Sequence, residues 1–214
     1  PETLFTRLRT VNDVRPSAPV VEGMVQAGTD STRVLRLLGV DPFSEAPFRG
    51  YVGKGLSLPV LQRFMTVPGA ILLSEELAAD LDVGIGDTLP LLRGARRFHA
   101  EVAGLLAPTD DLARRSLRGM LIADIATAQT MLDMRGRLSH IDLIFSAQDS
   151  SARNDLRASL PPGLSLQSAE KRSTAVASMT DAFSLNLTAL SLLALVVGMF
   201  LIYDTVSFSV VQRR

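Results

Sequence analysis

From Ala182 to Tyr203 the chain runs through 22 residues without a formal charge. As an α-helix rising about 1.5 Å per residue, that run would be roughly 33 Å long, the thickness of a bilayer hydrocarbon core. A helix apolar on every face has two homes, the centre of a large protein core or a membrane. Asn186, Thr188 and Ser191 interrupt the run, but small polar residues are tolerated in membrane helices. The expectation is one transmembrane helix over 182–211 that closes an otherwise water-soluble region, with a buried central helix as the competing reading.

The flanks suggest an orientation. Arg213 and Arg214 follow the run, whereas Lys171 and Arg172 lie about ten residues before it and Asp181 is nearer. The positive-inside tendency puts the Arg213–Arg214 end in the cytoplasm and residues 1 to 180 outside. Asp204 falls at the proposed inner edge, where it reaches headgroups or pairs with a partner helix. The chain starts at Pro1, without Met or an export signal. An exported region needs such a signal or an earlier span, so the chain is expected to be an excerpt of a longer membrane protein.

The roughly 180 residues before the run suffice for one substantial domain or two small ones. Lys and Arg total 22 against 22 Asp and Glu, so no electrostatic case exists for nucleic acid. With no cysteine, disulfides and thiolate metal sites are excluded. His99 and His140 lack metal-ligand spacing and are read as ordinary structural or surface residues.

Local patterning alternates helices and strands. Leu4, Leu8 and Val11 recur at helical spacing until Pro16. Val20–Ala27 and Thr32–Val40 read as a hairpin about the turn Gly28–Ser31. Asp41–Gly55 is a loop, and Leu58–Phe64 a short helix. Ala70–Leu73 is a buried strand, after which Ser74 caps a helix with Glu75 and Glu76 in its first turn. Thr88–Leu92 and Phe98–Leu106 are strands, as is Leu121–Ala123, and Asp124 caps the helix that follows. Ile141–Phe145 is extended with Asp142 exposed, Ala152–Leu160 is helical, and Leu164–Leu166 begins a strand. From Ala169 a helix is expected to run into the membrane as a stalk, with Val176, Met179 and Phe183 on one stripe.

Catalytic motifs do not form. Gly84-x-Gly86 meets Leu89 where a dinucleotide loop needs a third glycine. Gly50–Gly55 lacks the spacing and terminal Ser or Thr of a phosphate loop. No Gly-x-Ser-x-Gly elbow is present. Adjacent acids diverge on a regular element, so Glu75–Glu76 is read as a helix start and Asp110–Asp111 as a solvated loop. The chain is expected to have no catalytic, metal or cofactor residues and not to be an enzyme.

Four segments together resemble the extracytoplasmic domain of the MacB/FtsX-type ABC transporter permeases. They are Ile71–Ala78 followed by Gly86–Leu91, then Phe98–Leu106, then Leu121–Gln129 with Ile141–Leu143 after it, and finally Ala194–Tyr203 with its exit Thr205–Arg214. Asp204 departs from the neutral residue expected after the tyrosine. The resemblance implies an α+β fold in two lobes. A membrane-proximal strand–helix–strand lobe would combine 1–45 with 138–180, and a distal lobe, 46–137, would be inserted in it. It also implies a cytoplasmic ABC ATPase as a separate subunit, and a homodimer or a pseudo-dimer with a second permease half.

On this reading the domain couples ATP-driven movement of the membrane helix to export or extraction of a lipophilic substrate or lipoprotein. Val176, Met179 and Phe183 would be the coupling residues. The alternative is a non-transporting regulatory module that recruits or activates a cell-wall hydrolase or adaptor. In the loop Pro42–Phe48, Phe43 and Phe48 either touch a partner or pack where the lobes join.

Overall fold

The computed structural model describes residues 1–10, 14, 16–28, 33–50, 56–108, 110–146, 149–168, 187–188 and 190–202. The chain divides into two compact units, Pro1–Ser151 and Ala152–Arg214. The fold is mixed α and β, as expected.

The first unit contains helix α1 (Thr3–Thr10), strands β1 (Ser17–Ala27) and β2 (Arg33–Val40), helix α2 (Leu58–Thr66), strand β3 (Ala70–Ser74) and helix α3 (Glu75–Leu81). Strands β4 (Thr88–Arg93) and β5 (Arg96–Leu106), helix α4 (Asp111–Leu117), strand β6 (Met120–Asp124), helix α5 (Ile125–Met131) and strand β7 (His140–Leu143) follow. The strands pair in the order β2-β6-β3-β5-β4-β1-β7, and β1 also pairs with β2. Six strands therefore close into a ring, and β7 adds to the N-terminal end of β1, Ser17 opposite Leu143 and Val20 opposite His140.

Closure pairs each of the six ring strands on both sides and leaves β7 at the sheet's edge. It also places one face of every ring strand on a common core. Val21, Val25, Leu35, Leu37, Ile71, Leu73, Leu89, Leu91, Val102 and Leu121 all belong to it, together with Leu77 of α3 and Ala128 of α5. The opposite faces of β2, β6, β3 and β5 form a second cluster around Phe64 of α2 and Leu117 of α4. β1 pairs with β4, and β2 with β6, so strands from both proposed lobes share one core. Neither set of strands covers its own apolar face alone.

The ring is built from two similar halves. Each runs hairpin, helix, strand, helix: β1-β2-α2-β3-α3 and then β4-β5-α4-β6-α5. β3 and β6 lie antiparallel at the centre, with Leu72 opposite Ile122. Each has a parallel neighbour from the other half, β5 beside β3 and β2 beside β6. An approximate two-fold axis through the β3–β6 pair exchanges the halves. The finer details repeat with an offset of 50 residues: Gly69 and Gly119 both have positive φ, at 78° and 67°. The Glu101 N–H donates to the Gly69 carbonyl at 3.1 Å, and the Arg36 N–H to the Gly119 carbonyl at 2.9 Å.

Both halves also start their second helix in the same way. Ser74 Oγ accepts the Leu77 N–H at 3.2 Å, and Asp124 Oδ1 accepts the Thr127 N–H at 3.1 Å. Each cap satisfies a donor that a helix end leaves over. Asp124→Ala is expected to lower stability by about 1 kcal/mol in urea unfolding, while Asp124→Asn loses only a few tenths. Equal losses for the two variants would mean that the charge, not the cap, is responsible.

Two expectations are corrected. Asp110–Asp111 is not a solvated loop: Asp110 caps α4, its carboxylate accepting the Ala113 N–H at 2.7 Å. Residues 164–168 form no strand, since an extended stretch needs a partner and β7 pairs only with β1 among the described residues.

The second unit holds most of helix α6 (Ser150–Ser159) with its buried Leu156. It also contains a helix over 190–202, along which Leu192, Leu195 and Phe200 are exposed. Among the described residues no helix is long and apolar enough to cross a membrane. The expected span, 182–211, extends beyond the described part of that helix at both ends.

Candidate functional site

The chain leaves the ring through β7, and the loop after β2 reaches that exit. Asp41 organises the loop: its carbonyl accepts the N–H groups of Ser44 and Glu45 at 3.0 and 3.1 Å. Its carboxylate takes the Phe43 N–H at 3.1 Å and the Ser44 hydroxyl. A second turn follows, with the Phe48 and Arg49 N–H groups donating to the Glu45 carbonyl, both at 2.8 Å. These bonds make a loop rich in proline and small residues a fixed structure instead of a tether.

The two turns place Glu45 and Arg49 on one side, four residues apart. Glu45 is wholly buried. Its Oε2 accepts from Arg49 Nη1 at 2.7 Å, and Arg49 Nη2 donates onward to Asp142 Oδ2 of β7 at 2.8 Å. Asp142 Oδ1 lies 3.4 Å from His140 Nε2, and His140 Nδ1 lies 3.7 Å from Glu22. Glu22 in turn receives Arg36 of β2. A line of alternating polar groups thus joins loop, β7, β1 and β2. Burial pushes the Glu45 carboxyl above its ordinary range despite the opposing pull of the Arg49 guanidinium. The sequence suggested an exposed Asp142, but its side chain is only 28% exposed and is paired.

The arrangement ties separate elements together. It staples β7 to the ring through charge-assisted hydrogen bonds, which are the strong ones. Arg9 Nη1 reaches Ser44 Oγ at 3.4 Å from α1, adding a third element to the staple.

Of the residues expected to act, Phe43 is 74% exposed on this fixed loop and Phe48 is half-buried. Val176, Met179, Phe183 and Asp204 lie outside the described residues. Glu45, Arg49 and Asp142 were missed as a site. The spacing of Glu45 and Arg49 matches an ion pair one helical turn apart, a signal that was available, but nothing in the sequence pointed to Asp142 as the third member.

No protein-family model matches the chain. Over 198 residues it is 42% identical to the uncharacterized ABC transporter permease protein Rv0987 of Mycobacterium tuberculosis. That alignment covers 92% of this chain and 23% of the relative, so the chain spans about a quarter of the curated protein's length. Among solved structures, the extracellular domain of the noncanonic ABC-type transporter YknZ from Gram-positive bacteria is similar, with 14% identity and a TM-score of 0.48. That match covers 69% of this chain and 74% of the other. The periplasmic region of MacB from Actinobacillus actinomycetemcomitans is similar with 15% identity and a TM-score of 0.44, covering 72% of this chain and 71% of the other.

Proposed function

Taking as premise that the chain is related to an ABC transporter permease and resembles the MacB/FtsX type in the four segments quoted above, we propose that it is the extracytoplasmic part of such a permease. In this reading a separate cytoplasmic ATPase drives a membrane helix that follows the folded ring, at the cell membrane and within a homodimer or a pseudo-dimer with a second permease half. Movement passes along a stalk containing Val176, Met179 and Phe183 to the extracytoplasmic domain. The outcome is export or extraction of a lipophilic substrate or lipoprotein. The 42% identity with a permease over almost the whole chain carries the reading.

A second reading is supported by Phe43, an aromatic ring held out to solvent on a rigid loop, as a partner contact would require. There the ring recruits a wall hydrolase or adaptor, and nothing is transported. Purifying the full-length parent in mild detergent and identifying its companions by mass spectrometry tests both. An ABC ATPase is the expected companion. A wall hydrolase or adaptor in its place moves the reading to regulation, and a folded preparation with no ATPase sinks the permease proposal.

A further inference from the structure

The two halves of the ring are alike in backbone but not in one groove. In each half, a groove runs between the positive-φ glycine before the central strand, the start of the parallel neighbour strand and the first turns of a helix. One groove lies at Gly119, β2 and α3, and the other at Gly69, β5 and α5. Pairing fixes the correspondence. Arg36 stands opposite Met120 as Glu101 stands opposite Ala70, so Arg33 corresponds to Phe98. The offset of 50 along β3-α3 and β6-α5 makes Asp80 correspond to Thr130, Glu76 to Ala126 and Leu77 to Thr127.

The first groove is bridged. Arg33 Nη2 pairs with Asp80 at 2.7 Å, and Arg114 of α4 approaches Glu76 at 3.6 Å. In the second groove every one of these α3 and β2 groups is exchanged for an uncharged one, and a cavity of about 520 Å³ remains. Its apolar wall is Met65, Pro68, Phe98 and Met131. The Phe98 ring is covered on one side by the Arg96 guanidinium, 5.6 Å from its centroid, and Arg96 is itself held by Asp133 at 3.1 Å.

Polar groups in this groove come from Thr66, Thr127, Thr130, His99 and Asp124. The Thr66 and Thr130 hydroxyls, at 2.8 and 2.9 Å, donate to carbonyls of their own helices, those of Gln62 and Ala126. With their protons used, their oxygens are left as acceptors. The Asp124 carboxylate also lines the groove, but one of its oxygens is committed to capping α5. An apolar wall of this volume with a few convergent acceptors suits a small ligand of matching chemistry.

We propose that the groove between Gly69, β5 and α5 binds an uncharged, lipophilic small molecule that carries a hydrogen-bond donor. Its apolar body lies against Phe98, Met65 and Met131, and its donor meets the Thr66, Thr127 and Thr130 oxygens. An anionic ligand is disfavoured by Asp124. The site rests on the geometry of the ring and not on the permease reading, and it serves a substrate or a regulator equally.

N-phenyl-1-naphthylamine, an uncharged aromatic amine with one N–H donor, is the probe. The whole chain, labelled with ¹³C at its methionine methyls and held in a lipid nanodisc, is titrated by NMR. The Met65 and Met131 signals should move saturably, while Met24, on the outer face of β1, stays put. The sulfonated analogue 1-anilinonaphthalene-8-sulfonate should bind about tenfold or more weakly, because its charge would be set beside the Asp124 carboxylate. Phe98→Arg combined with Thr130→Asp copies the ion pair of the other groove and should abolish the shifts. Should that variant fail to fold, Ala126→Glu changes only an exposed position and should weaken binding by a similar factor. The proposal is overturned if Met65 and Met131 do not respond, if the sulfonated analogue binds as well, or if a folded variant binds as tightly as the wild type.

Discussion

Replacing Arg49 with methionine should destabilise the ring unit by about 3 kcal/mol or more, within the range for leaving one member of a buried ion pair uncompensated. The cause is Glu45, which is wholly enclosed and whose Oε2 has Arg49 as its hydrogen-bond donor. Removal of the guanidinium also cuts the link to Asp142, so β7 loses the staple that fixes it beyond its short ladder with β1. Urea unfolding followed by circular dichroism measures the loss. A change below about 1 kcal/mol would place the pair among exposed bridges of little worth.

The pH dependence gives an independent check on the same residue. Glu45 is an acid whose folded-state value is raised above 4.5. As pH climbs past the ordinary value, the unfolded chain releases its proton before the folded one does. Stability from this group is therefore full at acid pH and falls until the raised value is passed. Arg49 limits that fall by pulling the carboxyl back down. Without Arg49 the window widens, so the cost of Arg49→Met should be small near about pH 4.5 and larger near about pH 7.5. Equal costs at both would show that lost packing, not the buried charge, sets the penalty. Glu45→Gln should flatten the wild-type slope in that window.

Gly39→Ala is expected to cost about 3 kcal/mol, the upper part of the range for overpacking a core. Gly39 lies on the inward side of β2, where a Cβ would stand 2.3 Å from the Ala128 Cβ and 3.3 Å from the Val21 Cβ. Neither neighbour is the tip of a flexible side chain. The methyl is accommodated only if α5 lifts from β1 and β2. At Gly23 the obstructing atom is instead a Leu132 methyl at 2.7 Å, which a rotamer change can remove, so Gly23→Ala should cost less. The double variant Gly39→Ala with Ala128→Gly restores the clearance and should recover more than half the loss, net of the roughly 1 kcal/mol that glycine costs a helix interior. An additive double-mutant cycle would mean that the two residues do not meet.

The elements of the ring were largely legible because each carries a local signal. Ser74 and Asp124 stand before helices with the side-chain chemistry of caps, and β3 and β6 are short apolar runs bounded by turns. Helix α4 was hidden because Asp110–Asp111 reads equally as a cap and as a loop, and only Leu117 is buried. Ring closure was not legible, since it rests on the contact of Gln26 and Ala27 with Leu92 and Leu91, which no periodicity encodes. The duplication was present in the text as two glycine–strand–cap–helix passages 50 residues apart, at Gly69–Ser74 and Gly119–Asp124. It passed unnoticed because residue identity between the copies is low and only the backbone requirement repeats. The Glu45–Arg49–Asp142 staple joins positions 93 residues apart, beyond the reach of local patterning.

Ring closure bears on how the protein comes into being. β6 is the last of the six ring strands to be synthesised, and it fits between β2 and β3. Until residues 120–124 have left the ribosome, both of those strands keep an open edge, and the apolar faces later shared around Leu37, Leu73 and Leu121 stay wet. Pairings of such long range form slowly, and open edges invite wrong partners. Closure of the ring therefore waits on its final strand, so the yield of folded domain is set by how quickly β6 is captured as well as by the stability of the finished fold.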